Sequence, residues 1–284
     1  AAPSQGKAAT QAKAGIASHT DLVYAEVNGQ KLLLDLFVPT HVERPPLVIF
    51  IHGGSWRAGN HKRCHIPWLP EEGYALASIS YRLSDKAIFP AQIHDCKAAV
   101  RWLRAHADKY GYSTNRIAVA GSSAGGHLAV LLGVTPNHKE LEGNVGNHGE
   151  ESSTVDAIVD YYGPTDFILR SRTHPARAED PSSGVFQLLA GPASQKKELA
   201  ALASPVTHVS AGDPPLCIFH GTKDKTVYMD QTESIRDAYQ AAKLPVEVHL
   251  VEGGGHGGNE FYSGENRQKL VAFLRNQLRD SSKK

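Results

Sequence analysis

From Asp21 onward the spacing of hydrophobic positions along the chain switches repeatedly between two periods. Leu22-Val23-Tyr24-Ala25-Glu26-Val27 and the stretch from Lys31 to Val38 flank Asn28-Gly29, the dipeptide that best fits a type I′ turn, so an antiparallel hairpin is predicted. After Pro45-Pro46 comes Leu47-Val48-Ile49-Phe50-Ile51, an unbroken apolar run of the kind expected for a strand covered on both faces. Similar runs recur at Ala75 to Ile79, Ile117 to Ala120, Ala157 to Tyr161, Leu216 to Phe219 and Val246 to Val251. Helical patterns lie between several of them. From Ile93 to His106 the apolar stripe is Ile93, Cys96, Val100 and Leu103, with Lys97, Arg101 and Arg104 falling off it, as an amphipathic helix requires. Ala124 to Val134, Asp230 to Lys243 and Asn259 to Leu278 are the other long candidates, and Gly111 and Gly133 stand where C-terminal stops are expected. A hairpin followed by alternating strands and helices predicts an open, mostly parallel α/β sheet with helices on both faces.

Two stretches break that rhythm. Thr135 to Thr154 is polar and holds Gly143, Gly146 and Gly149, so it reads as a surface excursion. Pro164 to Pro215 contains Pro175, Pro181, Pro192 and Pro205, with helical character only at Phe186 to Ala190 and Leu199 to Ala203. It is too short for an independent domain and is expected to form one wall of a cleft beside the strand ends, where open α/β sheets bind ligands. Residues 1–20, rich in Ala, Gln, Lys and Gly, read as a flexible lead-in, with 21–284 as a single domain. The lead-in lacks an initiator Met and a signal-peptide apolar region, so it is read as a trimmed or mature N-terminus that leaves a secreted or periplasmic location open.

Composition narrows the function. Thirty basic against 29 acidic residues leave a net charge of +1, and no long Lys/Arg block is present, which argues against nucleic acid as a partner. No apolar run approaches the ~18 residues of a membrane-spanning helix. Cys64, Cys96 and Cys217 are too few and too scattered for a disulfide framework or a zinc ribbon. Cys217 lies within an apolar strand and reads as an inert buried thiol, while pairing of Cys64 with Cys96 stays open.

The segment that carries chemistry runs from Arg116 to Leu128. A strand leads into Gly121-Ser122-Ser123-Ala124-Gly125 and directly into a helix, the context of a nucleophile elbow. The residues two before and two after Ser123 must be small there, and Gly121 and Gly125 meet that need. Ser122 is the plain turn serine beside it. A second element, His52-Gly53-Gly54-Ser55-Trp56, follows an earlier strand. Its glycines let main-chain N–H groups approach a substrate, so Gly54 and Ser55, with the N–H of Ala124, are the candidate oxyanion donors. His52 precedes that loop and reads as structural.

Fifteen histidines compete for the role of base. His256 is favoured because Gly253-Gly254-Gly255-His256-Gly257-Gly258 follows the last strand in a loop free to reach over the sheet edge; His220 ends a strand and is the alternative. For the acid, Asp224 in Gly221-Thr222-Lys223-Asp224 follows the strand before the one that leads to His256, giving the order Ser, Asp, His. Asp166 also follows a strand end and is the rival, with Asp213 and Asp160 weaker. Trp56, Trp68, Phe167 and Phe186 are candidates for an aromatic wall, with core packing the expected role for at least half of them; Trp56 and Phe167 are the expected substrate contacts.

The elbow, His52-Gly53-Gly54-Ser55-Trp56, Tyr81-Arg82-Leu83, Phe89-Pro90-Ala91, Tyr162-Gly163-Pro164-Thr165-Asp166, Ser204-Pro205 and His220-Gly221-x-x-Asp224 together resemble an α/β-hydrolase esterase of the BD-FAE and hormone-sensitive-lipase-related type, over about residues 21 to 279. The resemblance implies the α/β-hydrolase fold, hydrolysis of carboxylic esters with neither metal nor organic cofactor, and the roles of Ser123, Asp224, His256 and the oxyanion donors. No large cap insertion follows the elbow helix, so an open cleft is expected. Ser55 departs from the commoner third glycine of the loop and puts its geometry in question. Short acyl or aryl esters fit an open cleft, as do acetyl or hydroxycinnamoyl groups on plant polysaccharide. Amide cleavage by the same triad and a catalytically silent binding protein are the alternatives.

Overall fold

A computed structural model describes residues 15–278, and each apolar run becomes a strand: β1 (Ile16–Val27), β2 (Gln30–Pro39), β3 (Pro46–Ile51), β4 (Ala75–Ile79), β5 (Ser113–Ser122), β6 (Ala157–Tyr161), β7 (Leu216–Gly221) and β8 (Val246–Val251). They form one sheet in the order β1-β2-β4-β3-β5-β6-β7-β8. β2 pairs antiparallel with β1 and with β4, and every other neighbouring pair is parallel. This is the α/β-hydrolase fold.

The β1–β2 turn carries positive φ at both Asn28 (51°) and Gly29 (79°), as a type I′ turn demands. The hairpin is longer than its apolar pattern indicates. Ile16 to His19 pair with Pro39 to Leu36, so the strand begins before Asp21. Ser18, His19 and Thr20 are tolerated there because β1 is an edge strand whose side chains are only half-buried. Residues 1–14 of the expected lead-in lie outside the described residues. β8 closes the opposite edge, and its Glu247, His249 and 48%-exposed Leu250 reflect that position.

The helices are α1 (Ala91–Ala105), α2 (Ala107–Tyr110), α3 (Ala124–Gly133), α4 (Lys139–Glu142), α5 (Phe167–Thr173), α6 (Gly184–Leu189), α7 (Lys197–Leu202), α8 (Met229–Ala241) and α9 (Gly264–Leu278). Alternation along β3 divides the core. Leu47, Ile49 and Ile51 point into the layer shared with α1, α3 and α8, whereas Val48 and Phe50 point into the layer shared with α9. Each fully buried side chain of this kind contributes about 1.5–3 kcal/mol. Cys96 belongs to the first layer and Cys64 packs against the second. The sheet stands between them and all three thiols are free.

Lys97 and Arg101 do not face solvent as the stripe on α1 predicts; both are buried. The excursion after α3 folds back over this face, and Glu142 at the end of α4 accepts from Lys97 Nζ at 2.8 Å and from Arg101 Nη1 at 2.6 Å. The local pattern shows only that these residues leave the main stripe, not that a remote carboxylate covers them. Arg82 likewise ties the segment after β4 to α1, its Nε and Nη2 donating to the two oxygens of Asp95 at 2.8 and 2.7 Å.

Between β6 and β7 lie α5, α6 and α7, with single helical turns at Pro175–Arg177 and Pro205–His208. None of the described helices is long and apolar enough to cross a membrane.

Candidate active site

β5 ends at Ser122 and α3 begins at Ala124, so the whole reversal falls on Ser123, at φ 54° and ψ −118°. A non-glycine residue in that region costs of order 1–3 kcal/mol, which the surroundings must impose. They do so by close packing. A Cβ at Gly121 would lie 2.1 Å from the Gly125 carbonyl oxygen, and one at Gly125 would lie 2.0 Å from the Ile51 carbonyl oxygen. The two glycines therefore let the strand, the helix and β3 close around the turn, and the serine is thrust out at the carboxyl edge of the sheet.

His256 Nε2 lies 2.8 Å from Ser123 Oγ, and its Nδ1 lies 2.7 Å from Asp224 Oδ2. An ionised carboxylate only accepts, so Nδ1 carries the proton and Nε2 is left to accept from the serine hydroxyl. Asp224 Oδ1 accepts from the main-chain N–H groups of Thr226 at 2.7 Å and Val227 at 3.0 Å. Burial pushes the Asp224 carboxyl up, but the hydrogen bond and charge of His256, with those two main-chain donors, outweigh it and hold the group below its ordinary value.

The structure brings Ser123, Asp224 and His256 together and gives the rivals other hydrogen-bond partners, although His220 Nε2 stands 3.7 Å from Asp224 Oδ2. Asp166 is the N-cap of α5, its Oδ1 accepting from Leu169 N at 2.8 Å and its Oδ2 from Ser234 Oγ at 3.1 Å. His220 is fully buried, with Nδ1 2.7 Å from Thr232 Oγ1 and Nε2 3.0 Å from the Val227 carbonyl. His52 stacks on Tyr81 with centroids 4.4 Å apart, and burial lowers it to about 4.

The loop after β3 passes over the nucleophile, since a Cβ at Gly53 would lie 3.3 Å from Ser123 Cβ. Gly54, Ser55 and Trp56 have φ of 118°, 54° and 60°. Ser55, in place of a third glycine, thus accommodates the left-handed backbone. Among the described residues, no acceptor takes the main-chain N–H of Gly54, Ser55 or Ala124.

Trp56 and Phe167 differ from the expected aromatic wall. Phe167 is fully buried, stacked on His127 (centroids 4.9 Å) and edge-on to Trp56 (5.6 Å). It supports Trp56 from behind, and only Trp56 borders the cleft. Trp56 Nε1 donates to His127 Nδ1 at 3.1 Å, and His127 Nε2 donates to the Ala203 carbonyl at 2.7 Å. That pairing fixes a neutral imidazole, which burial lowers to about 4. The cluster clamps the segment between β6 and β7 onto the elbow helix, giving this segment a rigid seat beside Ser123.

Ser123 opens on two hollows. The smaller, about 250 Å³, is bordered by Gly53 to Ser55, Arg63, His65, Tyr162 and His256. The larger, about 490 Å³, is bordered by Ser55 to Arg57, by Thr226 and Val227, and by residues of the 164–185 segment, including Arg170 and Arg177. Tyr162 Oη and Tyr262 Oη lie 2.5 Å apart, and Tyr262 Oη is 2.9 Å from His65 Nδ1, a polar network beneath the smaller hollow. Neither Arg170 nor Tyr262 stands out in the sequence. Asp166 directly before the apolar run Phe167-Ile168-Leu169 is the one local signal for α5, and hence for Arg170 on it.

Comparison with known proteins fits this geometry. Esterase LipC of Mycobacterium tuberculosis is 34% identical over 75% of this chain and 53% of its own length. The chain spans about half the length of the curated relatives it matches. Among solved structures, a truncated carbohydrate esterase from gut microbiota superposes with a TM-score of 0.83 at 31% identity, covering 92% of this chain and 95% of that one. A bifunctional GH43-CE protein of Bacteroides eggerthii gives 0.84 at 33% identity, over 92% of this chain and 35% of that one. The family profile described as BD-FAE matches residues 34–239, well over half the sequence, and the chain belongs to the BD-FAE family of α/β hydrolases.

Proposed function

We propose that the protein hydrolyses carboxylic esters through an acyl-enzyme on Ser123. His256 takes the hydroxyl proton through Nε2 as Ser123 Oγ attacks the ester carbonyl. Asp224 holds the imidazole in the productive tautomer and stabilises its positive charge. The oxyanion of the tetrahedral intermediate is received by the main-chain N–H groups of Gly54, Ser55 and Ala124, aided by the positive end of α3. The imidazolium then protonates the departing alcohol, and a water, activated by the same base, releases the acid.

One observation carries this reading: the unbroken chain from Ser123 Oγ to His256 at 2.8 Å and from His256 to Asp224 at 2.7 Å, beside three main-chain donors without acceptors among the described residues. The substrates are short-chain or aryl esters, including acetyl or hydroxycinnamoyl groups on plant polysaccharide. The open hollows around Ser123 and the likeness to a carbohydrate esterase from gut microbiota support that class.

Ser123→Ala is expected to abolish hydrolysis of p-nitrophenyl acetate and labelling by a fluorophosphonate, with an unchanged circular dichroism spectrum. Turnover equal to wild type removes Ser123 as nucleophile. Comparing methyl ferulate with acetylated xylan assigns the acyl group.

A further inference from the structure

The larger hollow beside Ser123 has an unusual charge. Three guanidinium groups, those of Arg57, Arg170 and Arg177, border it together with His174, against one carboxylate, Asp180. Among the described residues none of the three arginines makes an ion pair with a carboxylate. Arg170 is the innermost, only 5% exposed. Its Nη2 donates to the Thr226 carbonyl at 2.8 Å, while Nε and Nη1 have no partner. Arg57 is held at the rim by its bond from Nη1 to the Ser182 carbonyl at 2.6 Å. A buried cation with unmade hydrogen bonds is costly unless something supplies an acceptor. Burial lowers Arg170 to about 10, which still leaves it charged at neutral pH. Asp180, its Oδ1 accepting from the N–H and hydroxyl of Ser182 at 2.7 and 2.5 Å, is an anion that offsets one of the three positive charges, and Asp224 and Asp230 act on Arg170 from beyond ion-pair distance. The lining of the hollow stays net positive.

We propose that this arginine-lined hollow selects esters carrying a carboxylate, which docks against Arg170 and Arg177 while the ester carbonyl reaches Ser123. The inference rests on the hydrolase reading above and names a substrate class for it. Arginine suits the task because a guanidinium pairs with a carboxylate through charge-assisted hydrogen bonds, and at a hollow open to solvent salt screens part of that attraction. The carboxylate can belong to the acyl part of the ester, as in a dicarboxylic half-ester, or to the alcohol part, as in an acylated uronate.

Matched pairs separate these sources. p-Nitrophenyl hemisuccinate against p-nitrophenyl butyrate tests the acyl side, and 4-acetoxybenzoate against 4-acetoxybenzamide tests the alcohol side. In at least one pair kcat/KM is expected to favour the charged ester by ~10–100-fold, chiefly through KM and less so as salt is raised. Arg170→Gln is expected to erase that ratio. Arg177→Gln, at an exposed position where folding is not at stake, is expected to lower it by a smaller factor. Brisk turnover of the neutral esters with no preference in either pair, or a preference unmoved by salt and by Arg177→Gln, overturns this inference alone. Absence of turnover on all four esters removes the hydrolase reading and this inference with it.

Discussion

Asp160 and Asp224 stand at the carboxyl ends of neighbouring strands, both out of solvent, and their surroundings drive them in opposite directions. Asp160 is fully buried, accepts a single bond from Gly163 N at 2.8 Å, and leaves Oδ2 without a partner. Burial pushes it up to about 7. Asp224 is also pushed up by burial, though less completely buried, and it gathers two main-chain donors and His256, so it stays below its ordinary value. Burial alone therefore does not make a carboxyl catalytic. What matters is the number of donors aimed at it, and only Asp224 is equipped to remain an anion beside an imidazolium.

The strongest way to break this contrast is to remove the charge at Asp224. An amide there would present Nδ2 to His256 and favour the wrong imidazole tautomer, so Asp224→Asn is expected to lower kcat on p-nitrophenyl acetate by about 10⁴. A loss of only a few-fold would mean that hydrogen bonding, rather than charge, is what Asp224 supplies.

Asp160 yields the next largest effect, and it falls on stability. Its carboxyl rises from the ordinary 3.8 to about 7 in the folded chain. Between those values the native state holds a proton that the unfolded chain has released, so stability falls as pH rises across the window, by about 4 kcal/mol. Asp224, with its lowered value, acts in the opposite sense: the stability it contributes is present above the ordinary carboxylate range and is lost as pH falls through its folded value. Asp160→Asn has no proton to lose. Urea unfolding across the window is expected to show a shallower pH dependence for this variant than for wild type. Equal slopes would indicate that the buried carboxyl finds compensation elsewhere.

Sequence and structure agree where one local rule settles the outcome. The elbow is legible because Gly121, Ser123 and Gly125 sit between a strand and a helix, and the steric need for glycine is visible in the chain itself. The hairpin is legible because Asn28-Gly29 tolerates positive φ. Legibility fails where a remote group decides. Lys97 and Arg101 are buried because Glu142 folds over them, and no spacing on α1 announces that. Phe167 looks like a cleft aromatic, yet it lies behind Trp56 because His127 of the elbow helix stacks on it. α5 spans only Phe167–Thr173, two turns in a proline-rich stretch, too short for an apolar period to register. Arg170 goes unseen with it.

The smallest effect concerns Asp166, the carboxylate that rivals Asp224 by position in the chain. It caps α5 through Leu169 N and accepts from Ser234 Oγ on α8, so its role in this geometry is to start a helix. Replacing an N-cap by alanine costs about 1 kcal/mol; asparagine keeps the cap, its side-chain oxygen still able to accept from Leu169 N. Asp166→Ala is therefore expected to lower the urea midpoint slightly, with Asp166→Asn close to wild type and both retaining triad chemistry. Because α5 also carries Arg170, the alanine variant is expected to weaken the carboxylate preference more than it weakens turnover of p-nitrophenyl acetate. Should Asp166→Asn reproduce the large kcat loss assigned to Asp224→Asn, the acid would have to be moved from the end of β7 to the end of β6, and the three-residue chain through His256 would be a resting arrangement that the reaction abandons.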